Sequence, residues 1–168
     1  MYDSILKASQ AYSSGNYVEC AKHLLKVDKD SLPSTTAKNL YTSMKDKAFQ
    51  NAAAQLYNSG KASFDAYKYQ DALDDLEQSY KYDKSYNTEY HIAMCYKYLN
   101  KNTDKAQEYF YDIINNSGDS ELIRKAANLG LDMVINSAKE AAAKAKGGST
   151  TTDSKSDTAS SSDSSTSK

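Results

Sequence analysis

The stretch Ala66–Asp83, AYKYQDALDDLEQSYKYD, decides the fold. It reads as a short turn followed by an amphipathic helix. Tyr69, Ala72, Leu73, Leu76 and Tyr80 fall at i, i+3, i+4, i+7 and i+11 and share one helical face. Asp71, Asp74, Asp75, Glu77, Gln78 and Lys81 fall on the other, where they read as a solvated back rather than as a carboxylate site. An aromatic residue with a small Ala three positions later suits a helix that packs closely against the one before it.

That preceding partner is present. From Ser34 to about Tyr67 the pattern stays helical, with Leu40, Met44, Ala48, Ala52, Leu56 and Ser59 along one side. The segment has no Pro and its only Gly is Gly60, so one long helix, or two nearly continuous ones, is predicted. At 1.5 Å per residue it would be roughly 50 Å long. Pro33 suits its start. Two shorter helices are predicted before it. One is Tyr2–Ser13, with Ile5, Leu6, Ala8 and Tyr12 as its apolar members. The other is Tyr17–Val27, with Tyr17, Cys20, Ala21, Leu24 and Val27 on one face, and Ser14-Gly15-Asn16 breaks the chain between them.

After the central stretch, Ser85–Asn100 carries Tyr90, Ile92, Ala93, Tyr96 and Leu99, and Thr103–Asn116 carries Ala106, Tyr109, Phe110, Ile113 and Ile114. Asp119 is a good N-cap for a last helix that runs to about Lys146, with Leu122, Ala126, Leu129, Met133 and Val134 on one face. Gly147-Gly148 are expected to stop it. Residues 149–168 hold nine Ser, five Thr, three Asp, two Lys and one Ala, too little apolar surface to offset the entropy of ordering. The expected organisation is therefore a helical domain over 1–146 and a disordered tail or linker over 147–168.

Composition narrows the function classes. One Pro, six Gly and no run of period-two alternation argue for an all-α fold. The formal charge of −1 resides in the tail, so the body is neutral and nothing in it calls for nucleic acid. No apolar run reaches 18 residues, so no membrane-spanning segment is expected. The first residues, with Asp at position 3, do not read as a secretory signal. The default compartment is the cytoplasm; the alternative is an extracytoplasmic domain anchored by a segment outside this sequence. No cofactor motif, phosphate loop, HExxH or nucleophile elbow occurs, and no enzymatic activity is expected.

Three helix starts line up: Gly15-Asn16-Tyr17-Val18-Glu19-Cys20, Ala66-Tyr67-Lys68-Tyr69-Gln70-Asp71-Ala72, and Asn100-Lys101-Asn102-Thr103-Asp104-Lys105-Ala106. Ala72 and Ala106 are 34 residues apart, and Cys20 and Ala72 are 52 apart, one period plus a further helix and turn. In this period and these residues the chain resembles the tetratricopeptide repeat family over residues 2 to about 117. Leu56 and Gly60 stand at the family's large and small residues of a first helix, and Tyr69, Ala72 and Leu76 at the aromatic, small and large residues of a second. The third unit matches with Ala93, Tyr96, Leu99, Ala106 and Phe110, with one extra residue near Lys101. In the first unit Cys20 replaces the small Ala. The run Tyr109–Leu129 is loosely similar to units of bacterial envelope-associated tetratricopeptide proteins.

The resemblance implies a right-handed α-solenoid of about three helix pairs, with a long central helix, one continuous core and a C-terminal capping helix. It also implies a concave groove for a protein or peptide partner, lined by Tyr57, Lys61 and Phe64 and by Tyr90, Met94, Lys97 and Tyr98. A cationic grip for a peptide carboxylate, known in one subclass, is missing: Ile5, Ser9, Asn58, Asn87 and His91 occupy its places, and only Asn58 fits. Cys20 with His23, and His91 with Cys95, have ligand spacing on single helical turns, but the two pairs fall in different units. No metal is expected. The roles left open are a peptide-binding scaffold, a structural module of a cell-envelope assembly, and a homo-oligomerisation domain.

Overall fold

The computed structural model describes residues 2–147, and all regular structure among them is helical. Seven helices follow one another: α1 Tyr2–Ser13, α2 Tyr17–Leu25, α3 Thr35–Asp65, α4 Tyr69–Tyr82, α5 Tyr86–Leu99, α6 Thr103–Asn116 and α7 Ser120–Gly147. The Ser/Thr-rich segment predicted as a tail lies outside the described residues apart from Gly147, the last described residue of α7, and so does Gly148 of the expected stop.

Local chemistry sets the helix starts. The side chain of Asn16 accepts from the Glu19 N–H at 3.2 Å, and that of Ser34 from the Ala37 N–H at 3.2 Å. Asp119 Oδ1 accepts from the N–H groups of Glu121 and Leu122, each at 3.0 Å. Each of these bonds satisfies donors that the first turn leaves open. Before α2 and α4 the chain turns through a left-handed residue, Gly15 at φ 75° and Tyr67 at φ 61°. Gly accepts that conformation freely, whereas Tyr67 does so against the crowding of its Cβ.

The chain divides into two compact units, 1–133 and 134–168. In the first, each helix up to α6 packs on its successor, and α1 also touches α3, as α3 touches α5. The expected single continuous core is instead two clusters. One joins Ile5, Ala8, Cys20, Leu24, Val27, Leu32, Ala37, Tyr41, Met44 and Ala48. The other joins α4, α5, α6 and the first part of α7 through residues such as Leu76, Ile92, Tyr96, Phe110, Ile113, Leu122 and Met133. Between them α3 buries Ala52, Ala53 and Leu56, which belong to neither cluster. In the second unit the described residues, 134–147, are helical, and those from 134 to 146 are all exposed.

The period is regular in the structure. α4 and α6 each have 14 residues, and α6 starts 34 positions after α4, so the extra residue expected near Lys101 does not exist. The two turns have equal length and differ only in conformation: after α5 the left-handed residue is Asn100, one position earlier than in the preceding turn, and Asn102 supplies a second. Some expected core members face out. Leu6, Leu40 and Val134 are exposed, as is Ser59. On α3 the buried register runs through Tyr41 rather than Leu40, because Tyr41 continues Ala37 at i+4 toward Met44, Ala48 and Ala52.

Candidate partner-binding face

The C-terminal half of α3 packs against α4 at Gly60. A Cβ built there would stand 2.7 Å from Leu76 Cγ and 3.1 Å from the Ala72 carbonyl oxygen, so only the missing side chain permits this approach. The buried Ser79 hydroxyl adds a tie, donating to the Ala53 carbonyl at 2.8 Å. With α4 held on one side, α3 lies beside α5, and their outer residues form one face.

Four of the residues expected in the groove, Tyr57, Phe64, Tyr90 and Tyr98, are brought together, and two rings that were not expected join them. Tyr57 meets His91 edge-on at 5.6 Å, with its hydroxyl 3.5 Å from Nδ1. Phe64 meets the same imidazole at 5.7 Å, and Tyr98 at 6.0 Å. Tyr69, at the start of α4, stacks on Tyr98 at 4.8 Å with planes 14° apart. Tyr90 contacts His91 at 5.4 Å and also reaches Phe110 at 6.3 Å, so it serves the core as much as the surface. The result is a ladder of rings over α3, α4 and α5. Tyr57, Phe64 and Tyr90 are half-buried, while Tyr98 is 50% exposed. Edge-to-face and offset contacts of this kind hold rings in place beyond their area burial.

Only the repeat period relates His91 to this face in the sequence, and nothing there relates Tyr69 to it. Tyr57 and His91 are 34 positions apart, as are Phe64 and Tyr98, so equivalent places of successive units touch. His91 donates from Nδ1 to the Asn87 carbonyl at 2.7 Å. Burial lowers its pKa from the usual 6.5, and the imidazole is neutral at neutral pH. Burial likewise raises the hydroxyl pKa of Tyr57 and of Tyr90, which keep their protons.

The remaining expected residues flank the rings. Lys61 is exposed and paired with Asp65 at 2.8 Å, a surface ion pair of small energetic weight. Met94 and Lys97 are half-buried on α5. A cavity of about 210 Å³ opens beside Tyr57, lined with Gln50, Ser79, Asp83, Ser85, Asn87 and Thr88. A larger, mostly apolar cleft of about 390 Å³ separates α1 from the start of α3, between Tyr2, Ile5, Leu6, Ala37 and Leu40.

The acidic back of α4 is less solvated than its sequence suggests. Asp75 accepts from the Ser59 hydroxyl at 2.5 Å, and Glu77 accepts from the Tyr96 hydroxyl, so these carboxylates tie α4 to α3 and to α5. Asp71 and Asp74 remain exposed.

The two Cys/His pairs are not brought together. Cys20 belongs to the first cluster and Cys95 to the second, both thiols are free, and both are fully buried. Burial raises the pKa of Cys20 and pushes that of Cys95 up to about 12. Because the thiolate is the reactive form, a disulfide reagent should label neither cysteine in the native protein and both after denaturant is added. Prompt labelling of Cys95 without denaturant would mean that α5 does not bury it. Among the described residues no group of three or more His, Cys, Asp or Glu is placed to hold a metal ion. No described helix is long and apolar enough to cross a membrane.

Compared with known proteins, the chain matches no family model, no curated protein and no solved structure.

Proposed function

We propose that this protein is an interaction scaffold of tetratricopeptide type, a right-handed α-solenoid of about three helix pairs, that binds a peptide or protein segment across the α3/α5 face. The observation that carries the reading is the ring ladder Tyr57–His91–Phe64–Tyr98–Tyr69. Rigid, partly exposed aromatic rings give a partner large contact area at small cost in side-chain entropy. Lys61 and Lys97 on the flanks offer donors to a partner's carboxylates or carbonyls. The neutral imidazole of His91 adds no charge at the centre, so the face suits an apolar or aromatic anchor at its middle and polar groups at its edges.

The sequence contains 15 Tyr and no Trp. A library of Trp-bearing peptides can therefore be screened by exciting Trp alone. A peptide selected this way should bind the Tyr57→Ala/Tyr98→Ala double variant about thirtyfold more weakly, the loss of a hot spot of about 2 kcal/mol. The circular dichroism should stay unchanged. Tyr90 is unsuitable for this test because its ring also packs on Phe110. Equal affinity for the double variant would remove the face from consideration.

A second reading, a structural or self-associating module of an envelope assembly, draws on the cleft between α1 and α3 and its exposed neighbours Tyr2, Leu6 and Leu40. Sedimentation equilibrium of Leu6→Ser beside wild type separates the two. A dimer lost in that variant, with peptide binding intact, would favour the second reading for that end of the chain.

A further inference from the structure

The face of α5 turned away from the ring ladder carries an acid in an unusual position. Glu89 is only 4% exposed, among the most buried polar side chains of the protein. Its Oε1 accepts from the Tyr80 hydroxyl of α4, and its Oε2 has no hydrogen-bond partner. The charged and titratable groups around it come from three elements. Tyr80 belongs to α4 and Lys84 to the link that follows; Asp112 and Tyr109 belong to α6. Lys84 lies over the Tyr80 ring at 5.8 Å rather than in an ion pair with Glu89. Tyr109 packs edge-on against Tyr80 at 5.9 Å. Asp112 accepts from the Asn116 amide at 2.6 Å through Oδ1, which leaves Oδ2 open.

Two neighbouring carboxylates, neither of them ion-paired among the described residues, are costly in a dry seam. One proton on Glu89 Oε2 resolves both problems. It gives the orphaned oxygen a donor, which a carboxylate lacks, and it leaves Asp112 as the charged acceptor beside it. Asp112 is the more exposed of the two and the better placed to keep its charge.

We propose that Glu89 is a proton-holding residue in the seam between α4, α5 and α6, a neutral acid in the folded protein whose ionisation loosens the packing of α5 on α6. The seam thereby responds to pH, and it does so on the helix that also carries Tyr90, His91 and Tyr98. Burial raises the Glu89 pKa above the usual 4.5; the Tyr80 hydroxyl and the Lys84 charge work against this, and the Asp112 carboxylate adds to it. A carboxyl group with a raised folded pKa holds its proton longer in the folded chain than in the unfolded one. Its stabilising effect is therefore complete below about pH 4.5 and is lost as pH rises through the folded value.

The test is a comparison of thermal melts of the full chain and of Glu89→Gln from pH 5 to pH 9. Gln keeps the shape of the neutral acid and cannot ionise. The melting temperature of the variant relative to wild type should climb with pH, to roughly 3 °C or more at pH 8. Taking the difference cancels other titrations, that of His91 included. A difference that is constant with pH, or that falls as pH rises, would overturn the proposal. A second readout does not need that variant to fold. The carboxyl ¹³C resonance of Glu89, followed in wild type and in Asp112→Asn, should titrate above the usual range in wild type and at lower pH in the variant. A wild-type midpoint at or below 4.5 would equally overturn it.

Discussion

Phe110→Ala should destabilise the protein by about 3–5 kcal/mol, the cost of deleting a fully buried aromatic ring and leaving a cavity. Phe110 is 1% exposed and is the largest fully buried side chain. It stands where three helices meet: it belongs to α6, its ring touches Tyr90 of α5, and its Cβ faces Gly130 of α7. Few neighbours can move in to fill the space, because Ile113, Ile92 and Ala126 around it are themselves fully buried and already packed. Chemical denaturation should show a lower midpoint with little change in slope, since the native core is weakened rather than the unfolded chain altered. The adjacent Tyr111 is 57% exposed, and Tyr111→Ala should stay within about 0.5 kcal/mol of wild type. Equal effects from the two substitutions would mean that the inward face of α6 is misassigned.

Gly60→Val should cost about 2–3 kcal/mol, at the upper end of overpacking. The added Cβ meets Leu76 Cγ at 2.7 Å and the Ala72 carbonyl at 3.1 Å. The carbonyl is backbone of α4 and cannot rotate away, so α3 and α4 must separate. Separation also strains the Ser79 hydroxyl bond to Ala53. The contrasting substitution is Gly130→Ala. There the new Cβ would meet only Phe110 Cβ, at the ordinary contact distance of 3.7 Å. Gly in a helix interior is about 1 kcal/mol worse than Ala, so Gly130→Ala should stabilise by up to that amount. Thermal melts of the pair should move in opposite directions. A melt of Gly60→Val equal to wild type would show that the two helices do not cross there.

The crossing of α3 and α4 was legible because Tyr69, Ala72 and Leu76 recur on one face, and the tetratricopeptide resemblance put Gly60 opposite the small Ala. Four of the six rings of the candidate face, Tyr57, Phe64, Tyr90 and Tyr98, were named through the same resemblance, since they lie on the turns of α3 and α5 left over from packing. Tyr69 was not, because its spacing marks it as a packing residue, and only the approach of α5 turns it toward Tyr98. His91 was not, because a lone histidine at ligand distance from a cysteine looks the same whether it holds a metal, a carbonyl or two rings. The two-cluster core was hidden as well. Ala52 and Leu56 fit an apolar stripe on α3, but an apolar stripe does not say whether its members join what lies at either end.

What the amino-acid sequence determined by itself is the set of helices, their bounds to within a residue or two, and the 34-residue recurrence of the pair α3/α4 in α5/α6. Those properties depend on residues within a turn or two of one another: periodicity, caps, and Gly or Asn at the breaks. Only the tertiary structure decided which carboxylates of α4 are ties rather than solvated groups, which rings share a face, and that Glu89 sits beside Asp112 with one oxygen unpartnered. Those properties depend on the groups that neighbouring helices bring from up to 34 positions away. A charge or a ring has the same local pattern whatever surrounds it; its energy is set by what it meets.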